Sequence, residues 1–545
     1  MEQMTGSLRK ICIVFMILIL ALICRLAYIQ LAGGEELSEA TRMQSLISLE
    51  GINTRGIIYD RNGAALVADK KRFIYIIKES NFDIQTGKLL KEMGAKQVSS
   101  DNKGYYVYSS EDYDKNKGKK LIREHQAYIL QASARYSDDQ TAVHLIGYVN
   151  KKDSSGAAGL ELMYDDQLSV LNRHIYAVAD VNGNILPGRG LLITSDEKKD
   201  SYVKEGIRTT VDKNLQQAVE GIIGREKDDC AVVVLDSKTG GIAAMACTPK
   251  FNPNNIDKYI NGETDELLNK AAQGQYAPGS IFKIVVAAAA LEENVDVNKS
   301  FVCNSSASVG NLKIGCETGG EAGHGAITFR EAFADSCNSF FVQLGQEIGA
   351  EEILDMAEKF HLGEKALKKY PQQAKGHLMT EKESYGAAIG NLSIGQGELL
   401  VTPMQVARMT NIIASGGVDR GLHILMDDAL KKNTEEQVIS KATADTVGEM
   451  MADVTKMGTG KSLQLTTEDG SPKTAIKTGT AEYGEKDERK THGWITGYAP
   501  CDDPEYVVTV FVEGGESGSG TAGPVYKKIL RYLEMSGSYT HPTLA

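Results

Sequence analysis

The run Tyr276-Ala-Pro-Gly-Ser280-Ile-Phe-Lys283, continued by Ile284-Val-Val-Ala-Ala-Ala-Ala290, decides how the rest of the chain is read. Pro278 and Gly279 make a turn, and the apolar, alanine-rich run after them predicts a helix with Ser280 in its first turn. Side chains three apart share a helix face, so the Lys283 amine can lie against the Ser280 hydroxyl. Serine is a weak nucleophile until a base takes its proton. An amine can be that base where burial or nearby positive charge lowers its pKa. S-x-x-K by itself occurs on ordinary helices, so the pair needs partners.

Two further motifs supply them. Asp335-Ser336-Cys337-Asn338 offers a hydroxyl that can relay a proton and an amide that can hold a substrate carbonyl or amide. Lys477-Thr478-Gly479-Thr480 follows the β-compatible Thr474-Ala-Ile: its Gly lets backbone approach a ligand, its Lys adds positive charge and its hydroxyls can grip a carboxylate. In the order S-x-x-K, S-x-N, K-T-G they form the set used by penicillin-binding proteins and class A β-lactamases.

With these residues the sequence resembles a class B penicillin-binding protein, the monofunctional D,D-transpeptidase of bacterial cell-wall synthesis, over most of its length. The likeness extends to Ser393-Ile-Gly-Gln-Gly-Glu-Leu-Leu-Val-Thr-Pro403, Lys477-Thr-Gly-Thr-Ala-Glu482 and His492-Gly-Trp-Ile-Thr-Gly-Tyr-Ala-Pro500. Arg55-Gly-Ile-Ile-Tyr-Asp60-Arg-Asn-Gly63 and Gly159-Leu-Glu161 look like the family's pedestal motifs. The resemblance implies an α+β penicillin-binding/transpeptidase fold, a mainly antiparallel central sheet sandwiched by helices, with an N-terminal α+β pedestal and one transmembrane helix. It makes Ser280 the acylated nucleophile and Lys283 its base, and lines the cleft with Ser336 in the proton relay and Asn338 on the substrate's peptide. Lys477, Thr478 and Thr480 would bind the terminal carboxylate of a D-Ala-D-Ala stem peptide, with Gly479 between them. The backbone N–H groups of Ser280 and Thr480 would form the oxyanion hole. The substrates implied are peptidoglycan stem peptides, and β-lactams should acylate the same serine; catalysis requires no cofactor.

Neighbouring readings separate on sequence. A class A β-lactamase activates water with a Glu that follows S-x-N, whereas Glu266-Leu-Leu-Asn269 precedes Ser280. No E-D-x-x-F-x-x-H glycosyltransferase motif is present, so the resemblance implies a multispanning glycan polymerase as partner. A membrane receptor sensing β-lactams, or a non-catalytic cell-wall scaffold, could use the same serine fold; intact motifs count against the silent scaffold.

Composition agrees with an extracytoplasmic enzyme. Hydrophobic residues at 42% and charged residues at 24% of 545 exclude a disordered chain. Lys plus Arg at 60 against Asp plus Glu at 72, net −12, gives no basic footprint for nucleic acid. Ile11 to Cys24 carries no charged side chain, and the apolar character resumes after Arg25 as far as Ala32. As a helix, 11–32 would span roughly 33 Å, enough for the hydrocarbon core. Arg9 and Lys10 precede it and Glu35, Glu36 and Glu39 follow. The positive-inside rule therefore predicts a cytoplasmic tail over 1–10, an anchor over 11–32 and a single-pass protein of the bacterial cell membrane with its catalytic domain outside. The charged run Ser195 to Gly206 marks a boundary, giving a pedestal over 33–200, a transpeptidase domain over 201–536 and a tail over 537–545. Cys230 to Asp236 and Gly241 to Cys247 read as a hairpin, Glu505 to Glu513 as a strand and Pro524 to Met535 as a closing helix.

Cys12 and Cys24 lie in the anchor as small apolar residues. Cys303, Cys316, His324 and Cys337 fall in one window between the first two motifs, spaced C-x12-C-x7-H-x12-C. Three thiolates and an imidazole suit a structural zinc; a Cys303–Cys316 disulfide and unrelated free thiols are the other readings. Cys337 is the middle residue of S-x-N, so its side chain must point away from substrate. Trp494 is expected as a packing anchor of the cleft wall, His492 in a structural or supporting role, and Lys115 to Lys120 as a solvated loop.

Overall fold

The computed structural model describes residues 2–32, 46–48, 55–68, 71–102, 104–150, 155–169, 173–178, 191–195, 206–260, 262, 265–427, 435–484 and 490–538. Most of the charged run between Ser195 and Gly206, and of the expected C-terminal tail, lies outside these residues. The contacts divide the chain into two compact units: Met1–Arg55, Lys70–Ala134 and Leu171–Ser201 form one, and Gly56–Asp69, Arg135–Val170 and Tyr202–Ala545 the other.

In the first unit, strands Lys96–Asn102, Tyr105–Ser110, Lys71–Lys78 and Tyr128–Ser133 form an antiparallel sheet in that order. Helices Ile84–Glu92 and Lys115–His125 supply Leu89, Leu90 and Leu121 to a small core with Tyr75 and Ile77. The lysine patch at 115–120 is therefore a helix start and not a loop. Asp114 caps it by accepting from Asn116 N and Lys117 N, a signal overridden in the sequence by the density of charge. A helix, Glu2–Ala32, runs through the expected anchor, and its side chains from Ile13 to Tyr28 are almost all exposed. Among the described residues no helix is long and apolar enough to cross a membrane.

The second unit takes in two stretches that the sequence places in the pedestal, 56–69 and 135–170. The reason is a parallel pairing of Ile57–Tyr59 with Gly206–Arg208, distant in sequence and too short to announce itself. Ile58, Leu66, Leu160 and Leu168 join the same core as Val232 and Val508. The two pedestal motifs meet there: Arg135 donates to Glu161 Oε1 at 2.7 Å and to the Gly56 carbonyl at 2.6 Å, and Tyr136 OH reaches the same carboxylate at 2.9 Å.

The centre of this unit is a five-stranded antiparallel sheet. Its strands are β1 (Cys230–Asp236), β2 (Ile242–Cys247), β5 (Ala475–Tyr483), β6 (Lys490–Ala499) and β7 (Tyr506–Val512), in the order β2-β1-β7-β6-β5. A separate hairpin pairs β3 (Ser306–Val309) with β4 (Leu312–Gly315). β1, β2 and β7 are buried almost throughout, as expected of strands covered on both faces. Helices α1 (Lys213–Ile223) and α5 (Gly523–Met535) pack against one another as well as against the sheet, and α4 (Pro403–Ala414) packs on β1, β6 and β7. The alternation of β6 sets the faces: Thr496 Oγ1 meets Thr410 of α4 at 2.7 Å, whereas a Cβ on Gly497 would stand 2.8 Å from the Tyr526 hydroxyl of α5. This is the antiparallel sheet sandwiched by helices that the sequence predicts. β5 ends the order, so one of its edges is free of the sheet.

Candidate active site

The nucleophile turn is shaped by two glycines. Gly279 to Phe282 is a tight 3₁₀ turn that runs into helix α2 (Lys283–Glu292), so Ser280 precedes the α-helix instead of lying inside it. Gly279 has φ +55°, and a Cβ there would stand 2.5 Å from the Thr480 carbonyl oxygen. Gly395, in the Ser393-Ile-Gly-Gln-Gly stretch, accepts from Gly279 N at 2.8 Å; with φ +71°, its own Cβ would stand 2.1 Å from the Gly279 carbonyl. The turn is thereby wedged between β5 and the Ser393 loop with no room for side chains. In a strand a residue's N–H and C=O share one edge. The Thr480 carbonyl faces the nucleophile turn, so its N–H does too, as the oxyanion-hole expectation requires.

Lys283 is fully buried at the start of α2. Its Nζ donates to the Ser336 carbonyl at 2.7 Å, to Asn338 Oδ1 at 2.7 Å and to Ser336 Oγ at 3.2 Å. Among the described residues no hydrogen bond joins it to Ser280 Oγ. Such contacts between catalytic groups commonly tighten only when substrate is bound. Burial pulls the Lys283 amine down to about 7, against the opposing pull of Cys337, Cys316 and Glu317. Ser336 stands at φ +57°, a strained conformation for a serine, which aims its hydroxyl between two amines. The second is Lys477, whose Nζ donates to Ser336 Oγ and to the Thr478 carbonyl, both at 3.1 Å. Burial first, then repulsion from Lys283, holds Lys477 well below the ordinary lysine range. Two buried ammonium ions cannot share one hydroxyl cheaply, so the charge of one amine disfavours the charge of the other.

Ser280, Ser336, Asn338, Thr478, Gly479 and Thr480 all line one cleft of about 1120 Å³. Lys283 and Lys477 lie beneath its floor. Thr478 Oγ1 meets Thr459 Oγ1 at 2.6 Å, and Gly518 N donates to Thr480 Oγ1 at 3.4 Å. Thr459, Gly395 and Gly518 are supporting residues for which sequence reasoning assigned no role. Gly395 sat inside a quoted motif; Thr459 and Gly518 carry no signal apart from neighbouring glycines. Trp494 is fully buried and donates from Nε1 to the Ala277 carbonyl at 3.0 Å, anchoring the approach to the nucleophile as expected. His492 is stacked on Tyr483, its Nδ1 accepts from Gly514 N at 3.3 Å, and burial lowers it to about 4, so the ring is neutral.

The fourfold cysteine and histidine set converges beside this cleft. Cys303, Cys316, His324 and Cys337 present one ligand atom each, all within 4.8 Å of one another. Cys316 Sγ lies 3.5 Å from Cys337 Sγ and 3.6 Å from His324 Nδ1. Cys303, Cys316 and Cys337 are buried free thiols. The proton between Cys316 and Cys337 lowers the first thiol and raises the second. Cys337 also caps helix α3 (Asn338–Ile348), accepting from Phe340 N at 3.4 Å, so its side chain does point away from substrate. Cys303 precedes β3, Cys316 follows β4, and Asn338 Nδ2 donates to the Gly315 carbonyl at 3.1 Å. The hairpin that forms one wall of the cleft is thus tied to S-x-N.

Such a site can take an acyl group onto serine from an amide that ends in a carboxylate, which is the chemistry of the serine acyltransferases built on the penicillin-binding fold. The chain belongs to the class B penicillin-binding proteins: the penicillin-binding protein transpeptidase domain family matches residues 230–531. Stage V sporulation protein D of Bacillus subtilis is 27% identical over 554 residues, covering 93% of this chain and 82% of that protein. The peptidoglycan D,D-transpeptidase FtsI of Buchnera aphidicola is 26% identical over 554 residues, covering 96% and 93%. In fold the chain is similar to penicillin-binding protein PBP2 of Helicobacter pylori, solved in complex with MreC, with a TM-score of 0.66 at 22% identity over 90% of this chain and 99% of that one.

Proposed function

We propose that the chain is a peptidoglycan D,D-transpeptidase that cross-links stem peptides through an acyl-enzyme on Ser280. The observation that carries this is Lys283, an amine pulled to about 7 and bonded to both functional residues of S-x-N under the nucleophile turn. Neutral Lys283 takes the proton of Ser280 as Oγ attacks the carbonyl carbon of the penultimate D-Ala. Charge developing on that oxygen is met by the N–H groups of Ser280 and Thr480. The proton passes through Ser336 Oγ to the departing amine, the C–N bond breaks and D-Ala leaves. An amine from a neighbouring stem then attacks the ester, loses its proton by the same route and frees Ser280. Thr478 and Thr480 hold the terminal carboxylate that defines the donor, with Lys477 behind them bonded to the Thr478 carbonyl and Ser336 Oγ. Turnover of a D-Ala-D-Ala thioester analogue tests the reading: thiol release by the wild type and none by Ser280→Ala is expected, and equal release by both would overturn it.

The cysteine and histidine set holds a structural zinc in this reading. Ligands at about 2.3 Å for sulfur and 2.0 Å for nitrogen, at tetrahedral angles, stand roughly 3.5 to 3.8 Å apart, which is where Cys316, Cys337 and His324 already stand. A wall made of a two-stranded hairpin, marginal alone, gains a fixed base from such an ion. Metal analysis of protein purified under reducing conditions should give one zinc per chain; a chain free of metal sinks this part. The apolar run at 11–32 serves as the single membrane anchor, supported by the exposed apolar side chains of the N-terminal helix. Release of the full chain from membranes by salt alone would contradict it. Glycan polymerisation falls to a multispanning partner; co-purification from detergent-solubilised membranes tests that.

A further inference from the structure

The two hydroxyls that grip the carboxylate are not held alike. Thr478 and Thr480 alternate along β5, so both face the cleft. Thr480 Oγ1 accepts from Gly518 N at 3.4 Å, and a backbone N–H can only donate. The single proton of the Thr480 hydroxyl is thereby left to point into the cleft. Thr478 Oγ1 instead meets another hydroxyl, Thr459 Oγ1, at 2.6 Å, where either oxygen can supply the proton. A carboxylate only accepts. Thr478 can therefore give its one proton to a bound carboxylate only when Thr459 supplies the proton that lies between the two threonines.

Backbone contacts place Thr459 for this. It sits in the turn Gly458-Thr459-Gly460 that leaves the helix Lys441–Lys456, where Gly458 N and Gly460 N donate to the Asp453 and Val454 carbonyls at 3.1 and 3.0 Å. Thr459 N donates at 3.1 Å to the carbonyl of Ala334, the last residue of the helix Phe329–Ala334 that leads into Ser336. A Cβ on Gly458 would stand 2.1 Å from that same oxygen, so only glycine lets the turn come this close. The Thr459 side chain then lines the cleft. Its backbone is fixed on the S-x-N side and its hydroxyl on the K-T-G side. We propose that Thr459 is a positioning residue for donor recognition: its hydroxyl donates to Thr478 Oγ1 and so turns the Thr478 proton toward the terminal carboxylate of the donor stem.

The inference rests on the transpeptidase reading, and its test keeps the two apart. The full chain is given two thioester donors with the same acyl group, an N-acyl-D-Ala thioglycolate and the matching thioglycolamide, and thiol release is followed. The amide both donates and accepts, so it meets Thr478 in either orientation of the hydroxyl, whereas the carboxylate needs one. Thr459→Val should lower kcat/KM about tenfold on the thioglycolate and leave the amide within about twofold of wild type. Thr459→Ala should do the same, and Thr459→Ser should keep the wild-type ratio of the two donors. In a Thr478→Val chain, Thr459→Val should add nothing further, because the two residues act as one unit. An equal loss on both donors by protein that melts like the wild type, no loss on either, a loss that serine fails to repair, or a full further loss in the Thr478→Val chain would each overturn the proposal. A wild type that releases thiol from neither donor would instead overturn the transpeptidase reading itself.

Discussion

The two walls of the cleft are built in different ways. One is β5, held along its whole length by nine register pairs to β6 in a five-stranded sheet. The other is the β3–β4 hairpin, a two-stranded sheet of four register pairs that meets S-x-N through Asn338 and the cysteine set. A strand inside a packed sheet holds its carboxylate-binding threonines in place without help. A lone hairpin is marginal, so its position comes from packing on the helices Asn338–Ile348 and Ala388–Ser393, with Ala307, Val309 and Ile314 buried, and from Cys303 and Cys316 at its ends. The lesson is that K-T-G is positioned by the fold, whereas S-x-N is positioned partly by local chemistry next to it.

Substitutions can break this contrast at different points. The largest effect is expected where the walls meet: Lys283→Met, which removes the base bonded to S-x-N, should slow acylation by a fluorescent penicillin about 10²- to 10⁴-fold. Next comes Gly279→Ala, which forces a Cβ toward the Thr480 carbonyl at a site with φ +55°. A shift of the turn by about 1 Å should cost on the order of 10²-fold in the same assay. Removing the proposed zinc with a chelator is expected to act on one wall only. Amide hydrogen exchange over 306–315 should quicken about tenfold or more while 475–483 stays protected; equal loosening of both would erase the distinction between the walls. The smallest effect comes from pH. In the proposed mechanism Lys283 is a neutral base with its pKa lowered to about 7, so activity should be present above that value and lost as pH falls through it. Acylation should rise about tenfold from pH 6 to pH 8, and a flat profile would remove Lys283 from the role.

The difference between the walls also explains what could be read beforehand. The motifs of β5 and the nucleophile turn are local in sequence and carry their chemistry on adjacent residues, so Ser280, Lys283 and Lys477 to Thr480 were legible. The strands at 230–247 and 506–512 were legible as well, because buried strands are continuous apolar runs. Thr459 was not, since its contact with Thr478 depends on how the segment after the helix at 441–456 folds back. The αL serine at 336 was not either, because a tripeptide carries no sign of φ. The joining of 56–69 and 135–170 to the second compact unit was hidden for the same reason as Thr459. The parallel pairing of Ile57–Tyr59 with Gly206–Arg208 joins residues far apart in the chain, and only the folded core shows it.

The central claim is that Ser280 forms the acyl-enzyme. Mass mapping of the full chain after exposure to a penicillin tests it most directly. A single penicilloyl adduct on the peptide containing Ser280, absent in Ser280→Ala, is the predicted result. An adduct on any other residue, or one that persists in the alanine variant, would contradict the account.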